Sequence, residues 1–234
     1  MDELLLFFRR QPGWTTEGFG EHYLTEHAPM ATAWVRTIGR YVVNLPDVPG
    51  APAPAAVGPV AAVAGLLVDP DAVTEVWVES LAAFQDRRRN FADLGQANAM
   101  RDDHNAFIDV MHGYVVVREV DDDRLGRVPP DDPVRLVLAT WAVGADTDGT
   151  GGAGADLAGV ITWDRTVAGP HRFVVRRAVE AFTPGAPALV RVEELTVPSM
   201  AALRDRVDLD APLSAPGRGA VVTRHVLGER VFRA

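Results

Sequence analysis

The sequence contains no lysine and no cysteine, and serine occurs at only three of its 234 positions. The absence of lysine excludes Schiff-base chemistry, covalent pyridoxal phosphate and a Walker-type phosphate loop. The absence of cysteine excludes thiol nucleophiles, iron–sulfur clusters, cysteine zinc sites and disulfides. None of the serines, Ser80, Ser199 and Ser214, lies in a Gly-x-Ser-x-Gly elbow. Any chemistry must therefore use histidine, aspartate, glutamate, arginine or tyrosine.

The charge and the hydrophobic runs indicate which partners the chain can have. The formal net charge is −9, which argues against nucleic acid or an anionic membrane as the main partner. The start of the chain, Met1-Asp2-Glu3, is acidic where a signal peptide would be basic. The longest weakly polar run, 57–68, is shorter than the roughly 20 residues that span a bilayer. We expect a cytoplasmic protein with no membrane or nucleic-acid partner.

The first half of the chain predicts strands and helices in the order of a βαββαβ unit. Apolar runs and alternation predict strands at 4–10, 40–45, 73–79 and 111–120. Thr15 or Thr16 can cap a helix that runs towards His27, where Pro29 bends or ends it. Ser80 can cap a second helix over 81–99. The proline-rich stretch 46–59 predicts a surface loop without core residues.

The second half predicts a similar order of elements. Strands are expected at 134–143, 172–182, 190–197 and 220–226, and a helix begins at Ser199. A glycine-rich loop occupies 144–154, and the segment 156–167 is ambiguous between helix and strand.

An internal repeat relates the two halves. Eight of fifteen positions match when 73–87 (VTEVWVESLAAFQDR) is placed over 192–206 (VEELTVPSMAALRDR). The alternative is a chance similarity between two strand–helix junctions. We interpret the repeat as two tandem βαββαβ units, which are ferredoxin-like. The first spans 1–122 with a Pro/Ala-rich insertion at 46–70, and the second, a degenerate copy, spans 131–234.

Three segments of the first half resemble the EthD family. They are the helix that finishes in His27-Ala28-Pro29, the following Arg40-Tyr41-Val42, and the strand VTEVWVESL from Val73. The resemblance covers about residues 4–120, and the second half has no counterpart of His27. It implies the dimeric α+β barrel fold, in which two ferredoxin-like sheets face each other and the helices lie outside. With both units in one chain, we expect an intrachain barrel in a monomer or weak homodimer.

His27 is the first candidate for a catalytic group, because an imidazole exchanges protons near neutral pH. The family pattern implies a position near the barrel mouth. The alternative is a histidine that caps the helix and interacts with its dipole. His22 and His27 are five residues apart, about 140° around an α-helix, which disfavours a shared metal ion. Asp102, Asp103 and His104 are consecutive, and no further residue that could complete a metal site follows at a fixed spacing. We therefore expect a solvated cluster there and no metal site.

The inward faces of the first-half strands supply the other candidates. In a closed barrel they would line a cavity with aromatic walls and a few polar groups. Arg40 could stabilise an enolate, and Glu75 or His112 could be a second acid or base. The alternative for arginine and glutamate on adjacent strands is a cross-strand salt bridge. The expected substrate-binding residues are His22, Tyr23, Asn44, Trp77, Tyr114 and Arg118.

These residues predict a cofactor-independent enzyme of secondary metabolism that acts on an aromatic or polyketide-like small molecule. Proton transfer through His27 would drive cyclisation, aromatisation or dehydration. Two alternatives remain. One is a cofactor-free monooxygenase that acts on a phenolic substrate, and the other is a binding or accessory protein without turnover.

Overall fold

The structure is a computed structural model that describes residues 1–125, 133–143, 169–211, 213 and 220–233. The predicted loop at 144–154 and the ambiguous segment at 156–167 lie outside these ranges. No helix within the described ranges is long and apolar enough to cross a membrane.

The first half contains five strands, five α-helices and a π-helical turn. In chain order they are β1 (Asp2–Arg10), α1 (Thr16–His22), the π turn (Tyr23–His27), α2 (Ala28–Trp34), β2 (Ile38–Leu45), β3 (Ala55–Val57), a 3-10 turn (Val60–Ala62), β4 (Ala72–Val78), α3 (Leu81–Gln85), α4 (Arg87–Asn90), α5 (Leu94–Phe107) and β5 (Ile108–Asp123). The described part of the second half contains β6 (Val134–Ala142), β7 (Arg172–Ala181), β8 (Leu189–Val197), α6 (Met200–Arg204) and β9 (Ala220–Arg233).

The strands form a closed antiparallel barrel. Their order is β2-β4-β1-β5-β7-β8-β6-β9, and β9 pairs with β2 to complete the ring. The halves are joined at two seams, β5 with β7 and β9 with β2. Because the ring is closed, each of its strands pairs with a neighbour on both sides, which reduces the aggregation risk of an open sheet. An α+β barrel, with helices outside the sheet, is the architecture expected from the sequence.

Side chains alternate between the two faces of the barrel wall, as the strand period requires. On β1, Leu4, Leu6 and Phe8 face outward and pack in one cluster with helix residues such as Phe19. Leu5 and Phe7 face inward and belong to a second cluster that includes residues from both halves. The outward face of β1 is therefore apolar and packs against helices, as the expected α+β barrel requires.

The barrel interior is occupied by side chains. One part is an apolar cluster in which the rings of Phe7, Tyr114 and Trp141 meet edge to face, with centroids 5.3 to 6.1 Å apart. The other part is a network of buried ion pairs, defined here as the interior ion network. Its members are Glu3, Glu75, Arg118, Arg135, Arg176, Glu194 and Glu229.

Arg176 is the centre of the interior ion network. Its guanidinium lies 2.6 Å from a carboxylate oxygen of Glu3 and 2.6 Å from one of Glu75, and it also pairs with Glu194. Arg135 pairs with Glu75 and Glu229 and lies 3.2 Å from Glu194. Glu75 and Glu194 are matched positions of the sequence repeat. Because the ions are desolvated together, loss of one member would leave uncompensated buried charge.

The helix predicted to bend or end at Pro29 continues to Trp34. Proline removes a backbone donor and its ring displaces the carbonyl four residues earlier. The preceding π turn accommodates this change, because the N–H of Ala28 donates to the carbonyl of Tyr23, five residues back. The widened turn lets the chain pass the proline without leaving the helical path.

The single helix predicted over 81–99 is instead divided into α3, α4 and α5. Two aspartates begin new helices within it. Asp86 accepts hydrogen bonds from the N–H groups of Arg88 and Arg89, and Asp93 accepts one from the N–H of Gln96. Aspartate competes for backbone donors in this way and favours N-cap positions over helix interiors. The final helix extends to Phe107, beyond the predicted end.

The proline-rich segment is not only a surface loop. Residues Ala55–Val57 form β3, which pairs with β9. Beyond it, Val63 and Leu67 are buried in the interior apolar cluster, so the insertion covers one end of the barrel. The prediction missed β3 because proline and alanine carry little strand signal, whereas pairing depends on the exposed edge that β9 offers here.

The matched segments of the two halves begin their helices in the same way. Ser80 Oγ accepts a hydrogen bond from the N–H of Ala83 before α3. Ser199 Oγ accepts one from the N–H of Ala202 before α6. The sequence repeat therefore corresponds to two equivalent strand–cap–helix junctions.

Candidate active site

A pocket lies outside the barrel, between the outer face of the first-half strands and the helices, and is called here the helix–sheet pocket. Its volume is about 230 Å³. Most of its wall is apolar, and histidine, tyrosine and asparagine supply the polar atoms. The lining residues are Leu6, Phe8, His27, Ala31, Val35, Ile38, Tyr41, Val76, Phe84, Asn90, Phe91, Met100, His104 and Met111.

A carboxylate orients the catalytic candidate His27. The imidazole is buried, at 5% exposure, and its Nδ1 lies 2.7 Å from Oδ2 of Asp103 on α5. The other oxygen of Asp103 lies 2.8 Å from Nε2 of His22, which is partly exposed. Asp103 therefore bridges two imidazoles through both of its oxygens.

The π turn brings these two histidines together. In an α-helix, residues five apart point in directions about 140° apart. The π turn has fewer degrees per residue, so positions five apart approach the same face, and both rings reach Asp103. The expectation that His22 and His27 diverge was therefore wrong, because it assumed a regular helix. The expectation that Asp103 belongs to a solvated cluster was also wrong.

The state of Asp103 determines the tautomer of His27. Burial raises the pKa of Asp103, but hydrogen bonds and charge from His27 and His22 outweigh it and hold the pKa below the ordinary value. Asp103 is therefore ionised at neutral pH and can only accept. It follows that Nδ1 of a neutral His27 donates to Asp103 and that Nε2 carries the lone pair of a base.

A second imidazole lines the same pocket. The ring of His104 lies 6.0 Å from that of His27, measured between centroids. Burial lowers the pKa of His104 to about 4, and the positive charge that His27 carries when it is protonated contributes to the shift. The side chain is therefore neutral at pH 7 and can donate or accept a hydrogen bond inside the pocket. The two histidines thus differ in role because only one of them faces a carboxylate closely.

A chain of hydroxyl groups ends at the pocket wall. The hydroxyls of Tyr41 and Tyr23 are 3.0 Å apart, and Tyr23 is also 2.7 Å from the hydroxyl of Thr74. Burial raises the pKa of both tyrosines well above the ordinary value. Both therefore stay protonated, and Tyr41, which lines the pocket, can donate a hydrogen bond there when Tyr23 donates to it. Tyr23 is fully buried behind it.

The structure does not bring Arg40 and His27 together. On β2, Tyr41 faces the helix–sheet pocket with His27, whereas Arg40 lies over the ring of Trp77 at one end of the barrel interior. Adjacent strand residues point to opposite faces, so the wall of the barrel separates the two groups. The pairing of His27 with Arg40 as base and enolate stabiliser does not match this geometry.

The other inward-facing candidates have structural partners. Glu75 belongs to the interior ion network, and Asn44 Nδ2 donates to the carbonyl of Val73, 2.8 Å away. Tyr114 donates to the carbonyl of Pro187, at 2.7 Å. His112 Nε2 lies 2.9 Å from the carbonyl of Gly65 in the insertion. The predicted inward direction agrees with the structure, but these polar atoms bind the protein itself.

Arg118 and Trp77 lie together at the barrel end. Arg118 Nε is 2.7 Å from Glu3, and its guanidinium is 5.4 Å from the ring of Trp77. The salt bridge considered as the alternative for strand arginines is thus the arrangement seen for Arg118. Within the described ranges, no group of three or more His, Asp or Glu side chains is arranged to hold a metal ion.

Sequence reasoning missed His104 and Tyr41 as pocket residues, and it missed Asp103 as the partner of His27. The available signal was the pair of histidines five apart followed by a proline, which is compatible with a π turn. The sequence does not show which residue of α5 faces that turn, because this depends on how the helix packs.

Comparisons with known proteins place these features in context. The sequence profile of the EthD domain matches residues 11–110. A search of the curated proteins gives no match. Among solved structures, the chain is similar to one described as "Crystal structure study of anthrone oxidase-like protein". The TM-score is 0.51 and the sequence identity 12%, over 98% of this chain and 92% of that chain. At this identity the similarity concerns the fold.

Proposed function

From the match of residues 11–110 to the EthD domain, we propose that the protein is a small-molecule enzyme that uses His27 as a general base. The observation that carries the proposal is the Asp103–His27 pair in an apolar pocket. Asp103 accepts from Nδ1 and leaves Nε2 unprotonated. A carboxylate that holds the tautomer and stabilises the imidazolium is the arrangement that makes histidine an effective base.

The proposed step is proton abstraction from a carbon next to a carbonyl group or from a phenolic hydroxyl. Nε2 of His27 takes the proton, and the electron pair moves to the carbonyl oxygen to form an enolate. The Asp103 carboxylate stabilises the imidazolium. Tyr41 and neutral His104 are the donors that line the pocket and can hydrogen-bond the developing oxyanion. Return of the proton to a leaving hydroxide releases water and completes a dehydration.

The substrate class follows from the pocket wall. Aromatic and aliphatic side chains dominate, and the volume of about 230 Å³ suits a small, largely planar molecule. We therefore favour an aromatic or polyketide-like substrate that undergoes cyclisation, aromatisation or dehydration. The step needs no cofactor, because the acidity of the substrate and the base supply its chemistry.

We also propose that the fold consists of two tandem ferredoxin-like units. Within 1–122 the strands lie in the order β2-β4-β1-β5, and within 131–234 in the order β7-β8-β6-β9. Counted from the first strand of each half, both orders are 2-3-1-4, with β3 outside the pattern. This is the order of a ferredoxin-like sheet, and it supports two tandem units with an insertion at 46–70.

Hydrogen exchange of an acidic substrate analogue tests the base directly. Anthrone, whose ring CH₂ group is acidic, would be incubated with the protein in D₂O and followed by NMR. Because His27 is the base, we expect His27→Ala to slow the enzyme-catalysed exchange by about 10²- to 10⁴-fold. Affinity for anthrone should stay within a few-fold. His225→Phe, which replaces a buried histidine outside the pocket, is the matched control and should retain exchange.

The outcomes distinguish the candidate functions. Wild-type protein that binds anthrone without catalysing exchange would favour the binding or accessory protein. Equal exchange in wild type and His27→Ala would exclude His27 as the base.

The second candidate is a cofactor-free oxygenase, favoured by the similarity in fold to an anthrone oxidase-like protein. In that reaction the carbanion made by His27 would reduce molecular oxygen. One oxygen atom would become a carbonyl group on the oxidised substrate carbon, and the other would leave as water with the two hydrogens lost from that carbon. Oxygen uptake in the presence of anthrone, dependent on His27, would support it. Exchange without uptake would favour the acid–base reaction.

A further inference from the structure

Among the described residues, Arg40 at one end of the barrel has no acidic partner. Arg40 lies near the start of β2 and pairs across the sheet with Trp77 of β4. Its guanidinium carbon is 4.6 Å from the centroid of the Trp77 ring. Arg118 approaches the same ring at 5.4 Å. The indole is thus in contact with two cations, and both the indole and Arg40 are half-buried.

The neighbouring arginines form ion pairs with carboxylates, whereas Arg40 forms none with the described residues. Arg118 is paired with Glu3 and with Asp121. Arg172 lies 3.2 Å from Asp121. Across the part of the chain that the structure describes, no carboxylate lies within ion-pair distance of Arg40.

The electrostatic surroundings of Arg40 favour a negatively charged ligand. Burial lowers the pKa of Arg40, and the positive charges of Arg172 and Arg118 lower it further. Glu3 opposes this effect only in part, and it is already shared between Arg118 and Arg176. An anion beside Arg40 would offset the repulsion among these guanidinium groups. Partial burial would reduce the screening of that interaction by water.

We propose that this barrel end is a binding site for a small carboxylate, formed by Arg40, Trp77, Arg118 and Arg172. Arg40 makes the main contact with the carboxylate. The ring of Trp77 covers the guanidinium and holds it in place. A stacked guanidinium keeps its in-plane N–H donors free, and two of them match the two oxygens of a carboxylate.

The carboxylate site is separate from the helix–sheet pocket. Arg40 and Tyr41 are consecutive on β2 and point to opposite faces of the barrel wall, and Tyr41 lines the pocket. Binding at the barrel end therefore does not depend on the proposed function of His27. It adds a second ligand site to the chain, for an acidic small molecule.

Titration of the full chain with sodium benzoate, at constant ionic strength maintained with sodium chloride, tests this inference. The signal is Trp77 fluorescence, obtained as the difference between wild type and Trp77→Phe, with isothermal titration calorimetry as a second readout. We expect saturable 1:1 binding. Arg40→Gln should weaken it by about tenfold or more, because a charge-assisted bidentate contact is lost.

The matched control is Arg36→Gln, which removes the same charge from an exposed arginine before β2. It should change the affinity by less than about twofold, since a surface charge acts only weakly at this distance. Arg40→Lys should lie between wild type and Arg40→Gln, because a point charge replaces the planar fork.

Three results would overturn the site. They are a linear, non-saturating response of the wild type, equal weakening by Arg36→Gln and Arg40→Gln, and full affinity in Arg40→Gln. The wild-type titration decides the first of these without any variant.

Discussion

The barrel interior and the helix–sheet pocket both bury ionisable groups, but they use them differently. In the interior ion network, carboxylates such as Glu75 contact guanidinium groups of other strands. In the pocket, one carboxylate, Asp103, is shared by two imidazoles, and Nε2 of His27 remains available for a substrate. Buried charge in the first region pairs residues of different strands, and in the second it orients the imidazole that we propose as the base.

The comparison also explains where the ligand sites lie. Polar side chains on the inward face of the strands contact one another, because closure of the sheet brings different strands together around the interior. Polar residues on the outer face meet helices, which leave gaps at their ends and at irregular turns. A buried or half-buried side chain that keeps one polar group open to a ligand, as we propose for His27 and Arg40, is therefore more informative about function than burial or charge alone.

The largest effect is expected where the interior ion network is broken. Arg176→Met removes the guanidinium that contacts Glu3, Glu75 and Glu194, and should lower the free energy of unfolding by about 3–5 kcal/mol. Urea denaturation measures it. Arg177→Met, on the same strand, removes only an exposed pair with Glu119 and should cost about 0–1 kcal/mol. Equal losses of unfolding free energy in the two variants would show that the buried ion network is no more important for stability than a surface ion pair.

The second prediction concerns the stability of the protein at acidic pH. Burial lowers the pKa of His225, in the interior, to about 4 from an ordinary value of 6.5. His225 therefore binds a proton below pH 6.5 in the unfolded chain, whereas in the folded protein it binds one only near pH 4. The contribution of the neutral His225 to the free energy of unfolding is fully present above pH 6.5 and is lost as the pH falls towards 4. His225→Phe should reduce the loss between pH 7 and pH 4.5 by about 2.5 kcal/mol.

His104 sharpens that prediction, because its pKa is also lowered to about 4 but it lines the pocket. Urea denaturation at both pH values should show a similar gain in acid stability for His104→Phe. Only His104→Phe should also alter the binding of anthrone at pH 7. A pH dependence unaffected by either variant would contradict the assignment of both as neutral buried histidines.

The third prediction separates orientation from stability in the pocket. Asp103→Asn removes the charge that holds the tautomer of His27, and should slow proton exchange by about 10- to 100-fold with ligand affinity unchanged. Asp102→Asn is the control, because this neighbour is exposed and paired with Arg101. If both variants behave alike, the carboxylate has no specific role in the base.

The smallest expected effects come from the two matched helix caps. Ser80→Ala and Ser199→Ala should each lower the free energy of unfolding by about 1 kcal/mol. Only Ser80→Ala should weaken anthrone binding, because Phe84 of its helix lines the pocket. A change in binding from Ser199→Ala would show that the second half also contributes to that pocket.

Part of this molecule was predictable because local patterns determine it. Alternation on β1 assigned Leu4, Leu6 and Phe8 to one face, and the serines before α3 and α6 indicated helix starts. The inward direction of Glu75 and Tyr114 followed from the same period. Their partners did not follow, since Arg176 and Pro187 come from the second half and are more than 70 residues away.

By itself, the sequence determined the alternating strands, the capped helices and the repeat between the halves, and it made His27 a candidate. Only the tertiary structure decided that the barrel interior is occupied by ion pairs, that a π turn brings His22 and His27 to Asp103, and that Arg40 lies on the opposite face. Side-chain periodicity is a local property of the backbone. The choice of partner for a buried charge depends on which distant strands and helices surround it after closure.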